Sequence, residues 1–209
     1  MATRTTKRVR RSVEASKQLI LDTAERYLIA EGPNGVKVQR IAHDLGLTDA
    51  AVHYHFGNRR KLLEALLRFS GRRFVGELIA AIETDDPQSF NLETATILLS
   101  DFYGRKGTAR LAMWLNLEGW SPEGAGMLEP LVDWLHKART HQAKERGRPL
   151  PRKSDARREI AVLSAVTFSQ ALAGDALRRS VGLGKNAGEC LAIWAARLLE
   201  HESRVSSQT

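Results

Sequence analysis

Apolar residues recur along most of the chain with the three-to-four-residue spacing of amphipathic helices, and no useful stretch alternates as a strand would. Clusters of Gly, Pro, Asn and Asp separate the periodic segments. The pattern therefore predicts an all-α protein of about nine helices. We place them at about 12–31, 38–45, 48–56, 59–83, 91–103, 107–118, 126–146, 155–179 and 185–203.

Capping residues sharpen these boundaries near the start of the chain. The first helix is predicted to start near Ser12, and Thr48 is suited to the N-cap position, where a side-chain oxygen accepts a free backbone N–H. Gly46 follows a helical segment, as glycine commonly does, and Asn58 precedes the next one. The segments at 38–45 and 48–56 are thus predicted to be two short helices joined by a tight turn, the helix-turn-helix arrangement.

The charge is concentrated in the first third of the chain. The 209 residues carry a net charge of +8, and residues 1–61 hold 12 Lys and Arg against 6 Asp and Glu. This imbalance favours an acidic partner. The one cysteine fits a reducing compartment. We see no secretory signal and no run of about 18 apolar residues, so we expect a cytoplasmic protein without a membrane partner.

Arg59, Arg60 and Lys61 stand where a long helix is predicted to start, although basic residues are disfavoured at a helix N-terminus. An anion docked there would offset the repulsion, because helix N-terminal amides bind phosphates. The alternative is a solvated charge run, and the neighbouring helix-turn-helix favours the phosphate.

The segment around the turn resembles the signature of the TetR family of transcriptional regulators. The matching residues are Ile41-Ala42, Leu45-Gly46-Leu47-Thr48, Val52-His53-Tyr54-His55-Phe56, Asn58-Arg59 and Leu62-Leu63. The resemblance implies a three-helix DNA-binding domain with a basic N-terminal tail at 1–58, and a helical ligand-binding and dimerisation domain at 59–209. The chain departs from the family's usual residues with His53 in place of tyrosine, Lys37 in place of a capping threonine or serine, and Gly57 in place of lysine.

The resemblance also implies roles at the DNA. Thr48, Tyr54 and Arg59 fall at phosphate-binding positions, and Gln39, Asp49, Ala50, Ala51 and His53 at base or groove contacts. The full set of DNA-binding candidates is Gln39, Thr48, Asp49, Ala50, Ala51, His53, Tyr54, His55, Arg59 and Lys61.

Three of these expectations have open alternatives. Asp49 is suited to accept from cytosine or simply to favour the helix N-terminus. Tyr54 and His55 are also candidates for packing, which is the favoured interpretation for His55. The basic tail at 2–12 either follows the DNA or is a solubilising tail.

The rest of the chain shows no catalytic pattern, no metal-ligand spacing and no cofactor motif, so we predict neither an enzyme nor a cofactor. Aromatic residues and methionines cluster within its middle helices, where the family resemblance implies a ligand pocket. Core packing is the alternative for each of them taken singly. The predicted pocket residues are Phe102, Tyr103, Met113, Trp114, Trp120, Met127 and Trp134.

The last two helices carry apolar and small residues suited to close helix packing. We predict a homodimer held by a four-helix interface, with closure of the monomer's own core as the competing interpretation. The predicted interface residues are Ala161, Ala165, Phe168, Leu172, Ala187, Cys190, Leu191, Trp194 and Leu198.

Together these features predict a repressor that binds a palindromic double-stranded DNA operator as a homodimer and is released by a small apolar or aromatic inducer. The alternative is a helical protein-interaction or carrier module without specific DNA binding. That alternative leaves the localised positive charge unexplained.

Overall fold

The computed structural model describes residues 12–83, 90–120, 126–184 and 190–205. Within these ranges the chain forms nine α-helices and no strand, so the predicted all-α class is confirmed. The helices are α1 Val13–Glu31, α2 Val38–Leu45, α3 Asp49–Phe56, α4 Arg59–Ile82, α5 Leu92–Ser100, α6 Thr108–Leu117, α7 Glu129–Glu145, α8 Lys153–Ser180 and α9 Leu191–Val205.

Two short irregular helices add to this set. A 3₁₀ turn, Pro33–Gly35, precedes α2, and a π-helical turn, Asp101–Arg105, joins α5 to α6. Neither was predicted from the sequence. The predicted tail at 2–12 lies almost wholly outside the described residues, as does Ala187 of the predicted interface.

The chain forms two compact units, which divide between Leu66 and Leu67. The core of the first unit is built by buried side chains from four helices and the segment before α2. They are Ile20, Ala24, Leu28, Val36, Ile41, Ala42, Val52, Leu62, Leu63 and Leu66. The first turns of α4 contribute Leu62, Leu63 and Leu66 to this core and therefore belong to the first unit. The domain boundary that we predicted after residue 58 lies before the division seen in the structure.

The second unit has its own core, which α4, α5, α7, α8 and α9 share. Its buried members are Phe74, Leu78, Phe90, Leu92, Ala95, Leu99, Phe102, Leu131, Val132, Leu135, Ala156, Ile160, Leu163 and Ala196. Phe74 and Phe102 stack at 4.4 Å between ring centroids. Helix α8 contacts α5, α6, α7, α9 and the π-helical turn, and is therefore the central helix of this unit.

Helix α8 is irregular near its C-terminal end. Ala173 has φ −141° and ψ 18°, which interrupts the helical geometry and produces a kink. Among the described residues, α8 is also the one helix that is long and apolar enough to cross a membrane by length and composition. Only part of its surface is covered within the unit, because Val162, Leu177 and several small residues are exposed.

Candidate nucleic-acid interface

Helix α3 is joined to α2 by a turn that begins at Gly46. This residue closes α2 in the left-handed conformation with φ 62°, and the next N–H, that of Leu47, donates to Ala42 O at 2.8 Å. Thr48 then caps α3, since its Oγ1 accepts the Ala51 N–H at 3.2 Å. The predicted roles of Gly46 and Thr48 as helix caps are thereby confirmed.

One side of α3 faces the core and the other faces solvent. Val52 is 1% exposed and anchors the helix. Asp49, Ala50, His53 and Tyr54 are all exposed and share the opposite side, with Tyr54 80% exposed. The side chains of Ala50 and Ala51 are small, so a duplex could approach the backbone closely at the start of the helix. We call the four exposed residues the reading face.

Gln39 is exposed at the start of α2. A network of polar contacts beside it braces α2 against α1. The Arg40 guanidinium donates to both Glu31 carboxylate oxygens at 2.6 and 2.7 Å and lies 4.2 Å from the Tyr27 ring centroid. Tyr27 in turn donates to Asp44 Oδ2 at 2.7 Å.

These contacts explain the direction of several pKa shifts. The hydrogen bonds from Arg40 lower the pKa of the Glu31 carboxyl, and the same contact raises the pKa of Arg40. The hydrogen bond from Tyr27 lowers the pKa of Asp44 and raises that of the Tyr27 phenol. Glu31 and Asp44 are exposed while Tyr27 and Arg40 are half-buried, so the network orients α2 and, as a largely solvated one, adds little stability.

His55 does not belong to the reading face. It is half-buried, and its Nδ1 is shielded from solvent without a hydrogen-bond partner. Its ring meets those of Tyr54 and Phe56 at an angle, with centroids 5.3 and 6.4 Å apart. Of the two roles considered for His55, DNA contact and packing, the geometry therefore supports packing, which the sequence also favoured.

Arg59 also has a different place from the one predicted. Its Nε donates to Val36 O at 2.8 Å, and its Nη2 donates to Pro33 O at 2.5 Å. The half-buried guanidinium thus fastens the first turn of α4 to the segment before α2. Because these donors are used inside the unit, the geometry supports a structural role for Arg59 more directly than the predicted phosphate contact.

The remaining part of the α4 N-terminus keeps the predicted basic character. Asn58 is the N-cap, as predicted, since its Oδ1 accepts the Lys61 N–H at 2.9 Å. Arg60 lies 3.4 Å from Glu64 in a surface ion pair. The Lys61 side chain is exposed and has no ion pair among the described residues. Lys61 is therefore the best candidate in this turn for a phosphate contact.

The predicted pocket residues occupy different surroundings in the second unit. Phe102 is a core residue, and Trp134 packs edge-on against Phe90 with centroids 4.7 Å apart. Trp120 lies under the Arg68 guanidinium at 5.3 Å. Met113 and Met127 are 39% and 36% exposed. For Phe102 and Trp134, packing within the unit is therefore the role that the geometry supports.

Tyr103 of the π-helical turn makes a side-chain hydrogen bond to α8. Its hydroxyl lies 2.8 Å from Ser164 Oγ, and burial raises the pKa of the phenol. Its ring meets Phe168 edge-on at 5.4 Å. Phe168 is half-buried and packs against Tyr103 within its own unit, and its place in a dimer interface stays a prediction.

Other predicted interface residues are exposed. Trp194 and Leu198 are 52% and 43% exposed on α9, and Ala161 and Ala165 are exposed on α8. Leu172 and Leu191 are half-buried. The half-buried Cys190 thiol lies 3.0 Å from Gln170 Nε2, a contact within one subunit between α8 and the residue that precedes α9.

The sequence prediction missed other residues of the same surface. The exposed Val162 and Leu177 and the half-buried Val166 extend this surface along α8, and a groove runs over its C-terminal half. The groove is lined by Ala165, Val166, Ser169, Gln170, Gly174, Leu177 and Leu191. Helical spacing from Ala165 finds most of these positions. We call the exposed apolar residues of α8 and α9 the apolar stripe.

Comparison with known proteins agrees with this geometry. Residues 20–66 match the family described as "Bacterial regulatory proteins, tetR family". The HTH-type transcriptional regulator BetI of Brucella anthropi is 32% identical over 98 residues, which are 46% of this chain and 49% of that protein. The BetI of Brucella canis is 36% identical over 64 residues, 31% of this chain and 32% of that protein. The chain thus spans half or less of these relatives.

Two solved structures share the fold over most of their length. The structure of AibR in complex with isovaleryl coenzyme A and operator DNA has a TM-score of 0.50 and 19% identity, and covers 88% of this chain and 96% of AibR. A protein of unknown function from Rhodococcus sp. RHA1 has a TM-score of 0.52 and 19% identity, with 96% and 98% covered. At these identities the likeness concerns the fold alone.

Proposed function

We propose that the chain is a cytoplasmic DNA-binding transcriptional repressor of the tetR family of bacterial regulatory proteins, whose model matches residues 20–66. The family is one of regulators rather than enzymes. The observation that supports the proposal most directly is the reading face, an exposed side of a short capped helix inside a basic first unit. Such a helix fits the major groove, with its N-terminal residues toward the base edges.

Within this proposal the candidate residues divide into two kinds of contact. Gln39, Asp49 and His53 face base edges, because their polar groups match donors or acceptors of the major groove. Thr48, Tyr54 and Lys61 hold phosphates, which position the protein without carrying sequence information. Ala50 and Ala51 pack against the groove wall.

A homodimer is the second part of the proposal. The apolar stripe leaves Trp194, Leu198, Val162 and Leu177 between 43% and 52% exposed. Exposed apolar surface of this extent commonly marks an interface. In an isologous dimer, α8 and α9 of one subunit would meet the same helices of the other. Two reading faces about 34–36 Å apart, or a multiple of that, would then match a palindromic operator.

A membrane is the competing occupant of the apolar stripe, since α8 has sufficient length and hydropathy. The helix also carries polar and charged residues that are used in contacts to its neighbours. Its Glu159 accepts from Arg139 of α7 at 3.2 Å, and its Ser164 Oγ lies 2.8 Å from the Tyr103 hydroxyl of the π-helical turn. A dimer accounts for the stripe without removing these groups from their partners. We expect the protein to remain in the supernatant when liposomes are sedimented.

A small apolar or aromatic ligand that releases the operator is the third part. AibR was solved with both isovaleryl coenzyme A and operator DNA, and the half-buried Trp114 and Trp120 of the second unit keep part of their ring surface accessible to an apolar molecule. A ligand acts only through a difference in affinity between the DNA-binding and free states. Tryptophan fluorescence against a compound library, with operator release measured in parallel, tests this part.

The test of the whole proposal is selection from a random duplex pool. We expect an enriched partial palindrome, and a log affinity that falls linearly and steeply with log salt as phosphate counterions are released. A helical interaction or carrier module without DNA specificity would enrich no sequence. That outcome, or an affinity that is flat with salt, would exclude the repressor.

A further inference from the structure

The imidazole of His53 is fixed to the end of its own helix. Its Nδ1 lies 2.8 Å from the carbonyl oxygen of Gly57. The same glycine donates its N–H to His53 O at 2.6 Å, so the two residues are joined twice. Gly57 has φ 81° and ψ −69°, a left-handed backbone that glycine adopts readily and other residues rarely. This conformation turns the carbonyl back toward the ring.

The contact determines which nitrogen carries the proton. A carbonyl oxygen can only accept, so Nδ1 must donate. In the neutral imidazole the other nitrogen, Nε2, is then an unprotonated acceptor. His53 is exposed on the reading face, and Nε2 lies on the far side of the ring from Gly57. The structure therefore presents to solvent an acceptor of defined direction.

We infer that His53 Nε2 reads an exocyclic amino group in the major groove, N4 of cytosine or N6 of adenine, and that Gly57 is the residue that positions it. This inference rests on the proposed insertion of α3 into the groove. The amino groups of these two bases are the hydrogen-bond donors that the major-groove edges offer. Guanine O6 and N7, thymine O4 and phosphate oxygens are acceptors, and an unprotonated Nε2 cannot bond them.

The inference gives His53 a role in DNA binding that differs from the roles of Tyr54 on the reading face and of Lys61 on α4. Tyr54 carries a hydroxyl that can donate to a phosphate, and Lys61 can only donate. A hydrogen-bond acceptor such as His53 Nε2 cannot bond the phosphate oxygens of the DNA backbone, which are also acceptors. Its contribution to binding therefore depends on the base that it meets. His53 and Gly57 are also two positions where the chain departs from the usual residues of the family it resembles, and the structure places them in contact.

The first test uses the full-length free protein and needs no DNA. Histidine ring nitrogens labelled with ¹⁵N give distinct patterns for the two neutral tautomers when they are recorded at about pH 9. The chain has six histidines, and a His53→Gln variant identifies the resonances of His53. We expect the Nδ1–H tautomer. A predominant Nε2–H tautomer would overturn the inference, whatever the protein binds.

The second test removes one amino group from the DNA. After selection of the operator, each candidate adenine is replaced by purine, which lacks N6, and each candidate cytosine by 2-pyrimidinone, which lacks N4. At one position in each half-site we expect the wild-type protein to lose about threefold to tenfold in affinity, the value of one hydrogen bond. The base concerned identifies which of the two amino groups is read.

His53→Phe is the matched control, because it keeps an aromatic ring of similar size and has no acceptor. This variant should bind the natural and substituted duplexes equally. Gly57→Ala, which forces a side chain onto the positive φ, should reduce the same discrimination. If the wild type selects an operator but tolerates every substitution, the inference is wrong and the proposed function stands. If the wild type selects no operator, both fail.

Discussion

Replacing Trp194 by glutamate tests the dimer most severely, because this side chain is the largest in the apolar stripe and is 52% exposed in one subunit. A tryptophan offers up to about 250 Å² of surface, so about 130 Å² remains to be covered. At about 25 cal/mol per Å², that area contributes about 3 kcal/mol per subunit. In an isologous dimer the residue occurs twice, which gives about 6 kcal/mol as an upper value.

The dissociation constant of the dimer should consequently rise by up to about four orders of magnitude. Sedimentation velocity over a dilution series measures this change directly. We expect Trp194→Glu to run as a monomer at micromolar concentration, with unchanged helicity by circular dichroism and with operator affinity lost. The matched control is Leu117→Glu, because Leu117 is 78% exposed at the end of α6 and lies outside the stripe.

Two results would contradict the reasoning. The first is a Trp194→Glu variant that dimerises as strongly as the wild type, since a carboxylate at a buried interface carries a large desolvation cost. The second is a wild-type protein that sediments as a monomer at micromolar concentration. In either case the apolar stripe would need another occupant.

The other predictions concern the first unit. Arg59→Ala should lower the free energy of unfolding by about 2–3 kcal/mol, because two backbone carbonyls lose a charged donor; thermal melting measures it, and Arg60→Ala, which breaks only a surface pair, should change little. Lys61→Ala should weaken binding to all sequences alike and reduce the salt slope by about one; a selective loss would contradict a phosphate contact. Gln39→Ala should relax preference at one base position by about 1–3 kcal/mol, and equal losses on operator and random DNA would rule out base reading. Gly46→Ala should cost about 1 kcal/mol or more, since φ is 62° there; an unchanged melting temperature would refute this.

The helices of the first unit could be predicted because their signals are local. Ser12, Thr48 and Asn58 each accept an N–H three residues later, and Gly46 ends α2 within one turn. Such contacts depend on short segments of sequence. Periodicity likewise predicted much of the apolar stripe, since the exposed positions of α8 and α9 follow helical spacing.

The role of Arg59 could not be predicted in this way. Its acceptors are backbone oxygens of Val36 and Pro33, which precede it by 23 and 26 residues. A backbone carbonyl is present at every residue and leaves no signal in the sequence. The charge of the segment suggested a phosphate, whereas the fold uses this guanidinium inside the unit and leaves Lys61 exposed.

The contacts of the aromatic residues in the second unit also could not be predicted from composition. The proximity of these residues along the chain does not show in which direction each side chain points, because residues that are close on one helix can face different sides of it. Phe102 stacks on Phe74, Trp134 meets Phe90, and Tyr103 reaches Ser164 across the core. Phe102 and Tyr103 lie in the π-helical turn at Asp101–Arg105, which no residue pattern marked beforehand.

The attachment of Arg59 bears on the construction of hybrid regulators, in which the DNA-reading part of one protein is joined to the sensing part of another. A join at residue 58 would remove Arg59 from the Val36 and Pro33 carbonyls, and Leu62, Leu63 and Leu66 from their core. A join after Leu66 transfers all of these with their partners. The segment of this chain that should be transferred intact to a hybrid protein therefore includes the first two turns of α4.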